Sequence, residues 1–383
     1  MVLQHAIAVD VLSKALLRVD PTGSMLTSNH ISLVKLAYHT NNIKPAIPVI
    51  SKRIVFYPGM ANQQDPKILS DPTLPPPAYI SRNTGLTANL KPIQVLEYDY
   101  IVGLMHCSQR DWASARAAFE RVVAYPTRDG GVSKLMTEAH KKWILTGLLL
   151  NGKTGSNPPL TGTSAGKAYG VLSKAYLAVA ESFDTLDATA LRTAIEAGLQ
   201  DFMADSNEGL LREVQAAHQK WQIANLRSVY VKISLAQIRA LTRSAETGEP
   251  LASDEAVATL IAEMLHTGML RGSTVHPAQG DKPAYLEFAL AGGQEELSEA
   301  AYAAELHAAA ASLAALRPIF RTTHERMATS REYARHVLKE QKRERDAAMG
   351  RPVPADMLYG GMAAFDDDVE DEDLMTGVLA GGN

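Results

Sequence analysis

Apolar residues recur at three- and four-residue intervals in block after block of this chain, and that period constrains the fold more than any other feature. VLQHAIAVDVLSKALLRV is one amphipathic helix, ended by Asp20-Pro21; Ser28-Asn29 offer an N-cap for ISLVKLAYHT, and Lys44-Pro45 open the shorter PAIPVISKRIV. Further blocks at 132–151, 166–183, 187–203 and 207–232 are each bounded by glycine, proline or polar turns. A helix with a single apolar stripe cannot bury it alone, so consecutive helices must stack on one another.

Between the early helices and the later blocks lies 59–91, with five prolines and little periodicity, which reads as a long surface loop able to clamp a partner. Next comes LEYDYIVGLMHCSQRDWASARAAFERVVAYP, where Gly103, Ala115 and Phe119 stand at the relative spacing of tetratricopeptide positions and Pro126 closes the unit. Small residues let two helices approach, and Phe119 fills the groove between them. The pattern predicts a mostly α fold, a right-handed, tetratricopeptide-like helical-repeat solenoid with degenerate repeats.

The pattern changes after residue 232. Ser234 and Gln237 form a capping box that opens LAQIRALTR, and a second helix starts at Ser253-Asp254 with Val257, Leu260, Ile261, Met264 and Leu265 on one face, ending at Gly268. GSTVH, a turn at PAQGDKP, and AYLEFAL then give two short strands, at 272–276 and 284–288. Helix, helix and β-hairpin outline a winged-helix domain. Residues 294–345 return to helix, with a stripe of Leu306, Leu313, Leu316, Phe320, Met327 and Val337, and Pro318 should kink or split it. The expected segments are therefore 1–58 (first solenoid helices), 59–91 (loop), 92–232 (solenoid), 233–292 (winged helix), 293–346 (C-terminal helix) and 347–383 (acidic tail).

Two enzyme-like motifs do not survive their context. GLLLNGKT at 147–154 matches G-x-x-x-x-G-K-[ST], but a phosphate loop follows a strand and opens a helix, whereas Leu148 to Leu150 belong to a helix's last turn and Pro158-Pro159 follow. GTSAG at 162–166 matches the nucleophile pattern G-x-S-x-G, again with a proline-rich loop where a strand is required. None of the 11 histidines falls in H-x-H or H-E-x-x-H; His106 and His218 lie within helical patterns. The single cysteine, Cys107, excludes an internal disulfide framework and a cysteine-rich zinc site, and it too sits in a helical pattern, where packing is the expected role. No catalytic residue, metal ligand or cofactor is therefore expected.

Composition is that of an ordinary globular chain, 46% hydrophobic and 21% charged across 383 residues, without a basic n-region or a membrane-length apolar run. The expected location is thus cytoplasmic and nuclear. Residues 366–373, DDDVEDED, hold seven acidic charges, so without them the net −4 becomes +3. Such a charge block reads as a solvated tail, with Phe365 and Leu374-Met375 beside it as the ingredients of a docking motif. A near-neutral body argues against nucleic acid, as does DEAVATLIAEMLH: the candidate recognition helix carries Asp254, Glu255 and Glu263 and no lysine or arginine.

A helical solenoid running into a winged helix resembles the PCI-domain family. EYDYIVGLMHCSQRDWASARAAFERVVAYP with LMTEAHKKWILTGLLLNGK, then NEGLLREVQAAHQKW, SVYVKISLAQIRAL and AVATLIAEMLHTGMLRGSTV, are similar to blocks of the COP9 signalosome subunit 3 family, in order, over roughly residues 1–290. That family usually carries further N-terminal helices, so this chain is expected to begin inside the solenoid. The resemblance implies a non-catalytic scaffold in the complex that removes Nedd8 from cullins, with the protease chemistry on a different, metal-dependent subunit. Its implied partners are the other subunits and, through them, cullin-RING ligases. The alternatives are a subunit of the proteasome lid or of translation initiation factor 3, or a winged-helix nucleic-acid binder. Two surfaces are expected to carry partners. Strand residues Ser273, Thr274, Val275, Tyr285, Leu286 and Phe288 would offer a sheet edge. The stripe of Leu306, Leu313, Leu316, Phe320, Met327 and Val337 would enter a helical bundle shared between subunits.

Overall fold

The computed structural model describes residues 2–57, 76, 79–126, 131–155, 157–158, 161–275, 284–289, 299–328, 334–335 and 337–338. The chain divides into two units, residues 1–297 and 298–383. It is mostly helical, and among the described residues no helix is long and apolar enough to cross a membrane.

In the first unit, α1 (Val2–Val19) and α2 (Ser28–His39) pack together, followed by a 3-10 turn (Lys44–Ala46) and one turn of α3 (Ile47–Ile50). The cap of α2 is Thr27 rather than Ser28-Asn29: its amide donates to His30 Nδ1 at 3.2 Å, and its hydroxyl lies 2.8 Å from the same nitrogen. The described end of the expected surface loop is pinned down instead. Tyr79 and Ile80 are buried with Met25 and Phe56, Tyr79 Oη donates to the Val19 carbonyl at 2.9 Å, and Ser28 and Thr87–Ala88 exchange hydrogen bonds at 3.1 and 2.9 Å. Apolar surface on α1 and α2 explains the difference, since a segment without periodicity can still bury single anchors. The remaining loop residues, the turn PAQGDKP and the acidic tail lie outside the described residues.

Helices α4 (Pro92–Ser108), α5 (Trp112–Val123) and α6 (Lys134–Asn151) form the most closely associated layer. Gly103 lies against the ring of Phe119 so closely that a Cβ there would sit 2.5 Å from it, the close approach expected from the repeat spacing. Where the period suggests one helix at 166–183, the chain makes α7 (Thr163–Leu172) and α8 (Lys174–Asp184), broken at Ser173, whose hydroxyl lies 2.9 Å from Nδ1 of the buried His140. Likewise 187–203 becomes α9 (Ala188–Ala197) and α10 (Leu199–Ala204), broken at Gly198, where a Cβ would strike Phe202 at 2.6 Å. Helix α11 (Glu208–Leu226) ends six residues short of 232, and the freed segment enters a strand. One core joins Phe119, Trp143, Tyr169, Tyr176, Phe183 and Phe202 across α4–α11.

A separate core holds β1 (Lys232–Ser234), α12 (Leu235–Leu241), α13 (Asp254–His266), β2 (Gly272–Val275) and β3 (Tyr285–Phe288), together with Ile223 of α11. Ser234 caps α12 by the expected box, accepting from the Gln237 amide at 3.3 Å, and Ser253 caps α13 by accepting from Ala256 at 3.2 Å. The sheet has the order β1-β3-β2, antiparallel throughout. In the second unit, α14 (Glu299–Ala328) runs unbroken through Pro318, which forfeits one hydrogen bond to the Ala314 carbonyl without splitting the helix.

Candidate functional site

The sheet decides which of the named strand residues are free to pair with a partner. β3 lies in the centre, its backbone matched by Lys232–Ser234 on one side and Gly272–Val275 on the other. Tyr285, Leu286 and Phe288 therefore have no free edge, which corrects the expectation that 284–288 offers one. Leu286 and Phe288 are instead buried in the core beneath the sheet. The signal that sequence reading missed is β1, which occupies the position a two-stranded hairpin would have left open.

The two outer strands differ in what they leave unpaired. Ala289 N donates to Arg271 O, so alternation along an antiparallel pair makes 273/287 and 275/285 the hydrogen-bonded pairs of β2 with β3. The amides of Gly272 and Thr274 consequently point away from the sheet, with Ser273 and Val275 on the same strand turned inward. On the other side Phe288 N donates to Val231 O and Leu235 N to Ala284 O, which turns Lys232 and Ser234 outward. The Ser234 amide is already taken by Gln237 Oε1 at 3.4 Å, so of β1 the Lys232 backbone is what faces outward. β2 is thus the longer open edge among the described residues.

The α14 stripe is uncovered where its side chains are described. Leu306, Leu313 and Phe320 are 60%, 69% and 74% exposed, and with Met327 they recur at every seventh residue, the spacing of a seam between supercoiled helices. Tyr302 is exposed four residues before Leu306, and Val337 is helical and half-buried. The side chains of Leu316 and Met327 lie outside what the structure describes.

The enzyme-like motifs lie in helices and at a helix end. Gly147 lies inside α6, and Gly152 closes that helix in the left-handed conformation, φ +69°, with Trp221 packed on it. Ser164 sits in the first turn of α7. Burial pushes the Cys107 thiol up to about 12. His106 is buried 3.4 Å from Asp111, and His218 is buried with Nδ1 3.0 Å from Gln222 Nε2. Among the described residues no group of three or more histidine, cysteine, aspartate or glutamate side chains could hold a metal ion.

Comparison with known proteins identifies a family for the chain. Residues 78–164, which contain the Gly103–Phe119 layer, match the family described as COP9 signalosome complex subunit 3, N-terminal helical repeats. The chain is 41% identical to COP9 signalosome complex subunit 3 of Neurospora crassa over 379 residues, 98% of this chain and 75% of that protein. This chain belongs to the COP9 signalosome subunit 3 family. The subunit 3 of Emericella nidulans is 28% identical over 337 residues, 88% of this chain and 66% of that protein. The alignment with the N. crassa subunit 3 leaves out only a few residues of this chain, so both the sheet and α14 lie largely within the length it shares with that family member.

Proposed function

We propose that this chain is a non-catalytic scaffold subunit of the COP9 signalosome, supporting removal of Nedd8 from cullin-RING ubiquitin ligases in the cytoplasm and nucleus. Its right-handed solenoid ends in a winged helix, a reading supported by the order α11, β1, α12, α13, β2, β3 and by β1 pairing with β3. Sister subunits add a strand at the open β2 edge and pack helices on the α14 stripe. The observation that carries this function is the 41% identity over 98% of the chain to a named subunit 3. The edge at Gly272 and Thr274 and the exposed leucines of α14 supply the physical means of assembly. Nucleic acid is not favoured, because Asp254, Glu255 and Glu263 on α13 would face a polyanion, and the nearby cations Arg239 and Lys220 already pair with Asp254 and Glu263 at 3.4 and 2.7 Å. Affinity purification of the tagged full chain from its native cells tests the proposal. Recovery of the remaining subunits with deneddylating activity is expected; recovery of proteasome-lid or initiation-factor components overturns it.

A further inference from the structure

A groove of about 690 Å3 opens between the α4–α5 turn and the start of α11, a size within the roughly 300–1000 Å3 range of ligand pockets. Its walls are Leu104, Trp112 and Leu210, and its charged lining is Arg110, Lys142 and Glu213. Two features of the lining call for a negative group.

The first is Lys142. Its side chain is only 9% exposed, and its nearest carboxylate oxygen, Glu138 Oε2, lies 3.6 Å away, longer than a hydrogen bond. Glu138 is engaged more closely by Lys141 at 2.9 Å, and Lys141 also holds Asp205 at 2.7 Å. Burial accordingly draws the Lys142 ammonium below its ordinary pKa. Its ammonium also lies 5.5 Å from the centroid of the Tyr100 ring, so one long ion pair and one ring face hold it, and a carboxylate at hydrogen-bond distance would complete its pairing.

The second is the start of α11, a helix of 19 residues whose first turn lines the same groove through Gly209 and Leu210. Asn207 stands at the cap position but spends its side chain donating to Tyr176 Oη at 2.7 Å, leaving the first-turn amides without a side-chain cap. Free amides and the positive end of the helix dipole favour an anion there, and Glu208, the acid of that first turn, pairs with Arg212 at 3.9 Å and does not line the groove. Arg110, at the rim, is committed to Glu213 at 2.5 Å, so Lys142 is the cation left for a ligand. The neighbouring Cys107 is a neutral thiol and adds no charge.

We propose that this groove docks an acidic segment of a sister subunit, one carboxylate meeting Lys142 and the first turn of α11 while an adjoining apolar side chain lies against Trp112 and Leu210. The inference rests on the scaffold reading for the source of the segment, and on the groove alone for its chemistry. The apolar walls reject free small anions in favour of a peptide that covers them. Because solenoids present side grooves between successive helix pairs, a segment held here would be gripped independently of the sheet edge and the α14 stripe.

The test uses the full chain and a fluorescein-labelled peptide of alternating aspartate and leucine, with the asparagine–leucine peptide as neutral control, followed by anisotropy. The acidic peptide should bind about tenfold or more tightly than the neutral one, and added salt should narrow the gap. Lys142→Met and, separately, Trp112→Ala should each abolish the discrimination, with circular dichroism melting reporting whether the fold persists. Should Lys142→Met fail to fold, Trp112→Ala decides, since Trp112 is only half-buried. Equal binding of the two peptides, no binding of either, or discrimination that survives the variants overturns the proposal. Recovery of sister subunits by the tagged chain without peptide discrimination sinks the groove alone, whereas failure to recover them sinks the scaffold reading.

Discussion

Gly103 and Phe119 show how one missing Cβ sets the spacing of two helices. The ring of Phe119 is fully buried and occupies the space a side chain at 103 would need, so the ring of α5 packs directly on the backbone of α4. Gly103→Val should overpack this contact and cost about 1–3 kcal/mol, and Phe119→Ala should leave a cavity costing about 3–5 kcal/mol, both read by urea denaturation. Gly152 is constrained twice, by φ +69° and by Trp221, whose ring would lie 2.7 Å from an added Cβ. Gly152→Ala should therefore lower the unfolding temperature, although the residue looks like the second glycine of a phosphate loop. The same chemistry predicts that magnesium and ATP leave that temperature unchanged, since the loop amides cap a helix C-terminus instead of opening one. A rise on adding nucleotide would show that the motif is functional after all.

The elements carry the predictions about assembly. Thr274→Pro removes an amide that points away from β3, so the sheet should persist while incorporation into the complex falls. Ser273→Pro removes an inward amide and should destabilise the sheet itself, which makes the pair an internal control for edge pairing. Unchanged incorporation of Thr274→Pro would mean that partners do not use this edge. On α14, Leu313→Asp alters a side chain 69% exposed, so loss of partners is expected without loss of thermal stability. The legibility of these elements follows the range of the interactions that make them. The caps at Ser234 and Ser253 and the Gly103–Phe119 spacing are readable because their partners lie within three to sixteen residues. β1 is not, because Lys-Ile-Ser becomes a strand only through Glu287, Leu286 and Tyr285, more than fifty residues away. Tyr79 is hidden for the same reason, its anchor being the carbonyl of Val19. Of the two expected partner surfaces, the sequence pattern could locate the strands but not say which one lies at the edge.

At the scale of the whole molecule, four buried histidines link stability to pH, and burial lowers the pKa of His106 as well, with Asp111 at 3.4 Å partly offsetting it. His30 in α2, His140 in α6 and His218 in α11 each have their pKa lowered from 6.5 to about 4, chiefly by burial, with Asp20 and Asp187 only partly offsetting this at His30 and His218. The unfolded chain takes up a proton at each of these three as pH falls through 6.5, and the folded chain does not until about pH 4. Stability is thus fully present above pH 6.5 and declines between 6.5 and 4, by up to about 1.4 kcal/mol per pH unit for each histidine. The carboxylates Asp111 and Asp205, whose pKa values are lowered, add their own losses only at more acidic pH. Asp99 works in the opposite sense, because burial raises its pKa even beside Arg121. Urea denaturation at pH 7.5 and 5.0 should show a loss of several kcal/mol. His218→Gln should lower stability at pH 7.5, yet shrink the difference between the two pH values by one histidine's share. A difference that is unchanged by His218→Gln, and by the corresponding changes at His30, His106 and His140, would place the acid sensitivity on the carboxylates instead. Because His30 lies against the core of α1–α3 and His140 and His218 against that of α4–α11, the loss should weaken both parts of the helical array and shift their unfolding to lower urea.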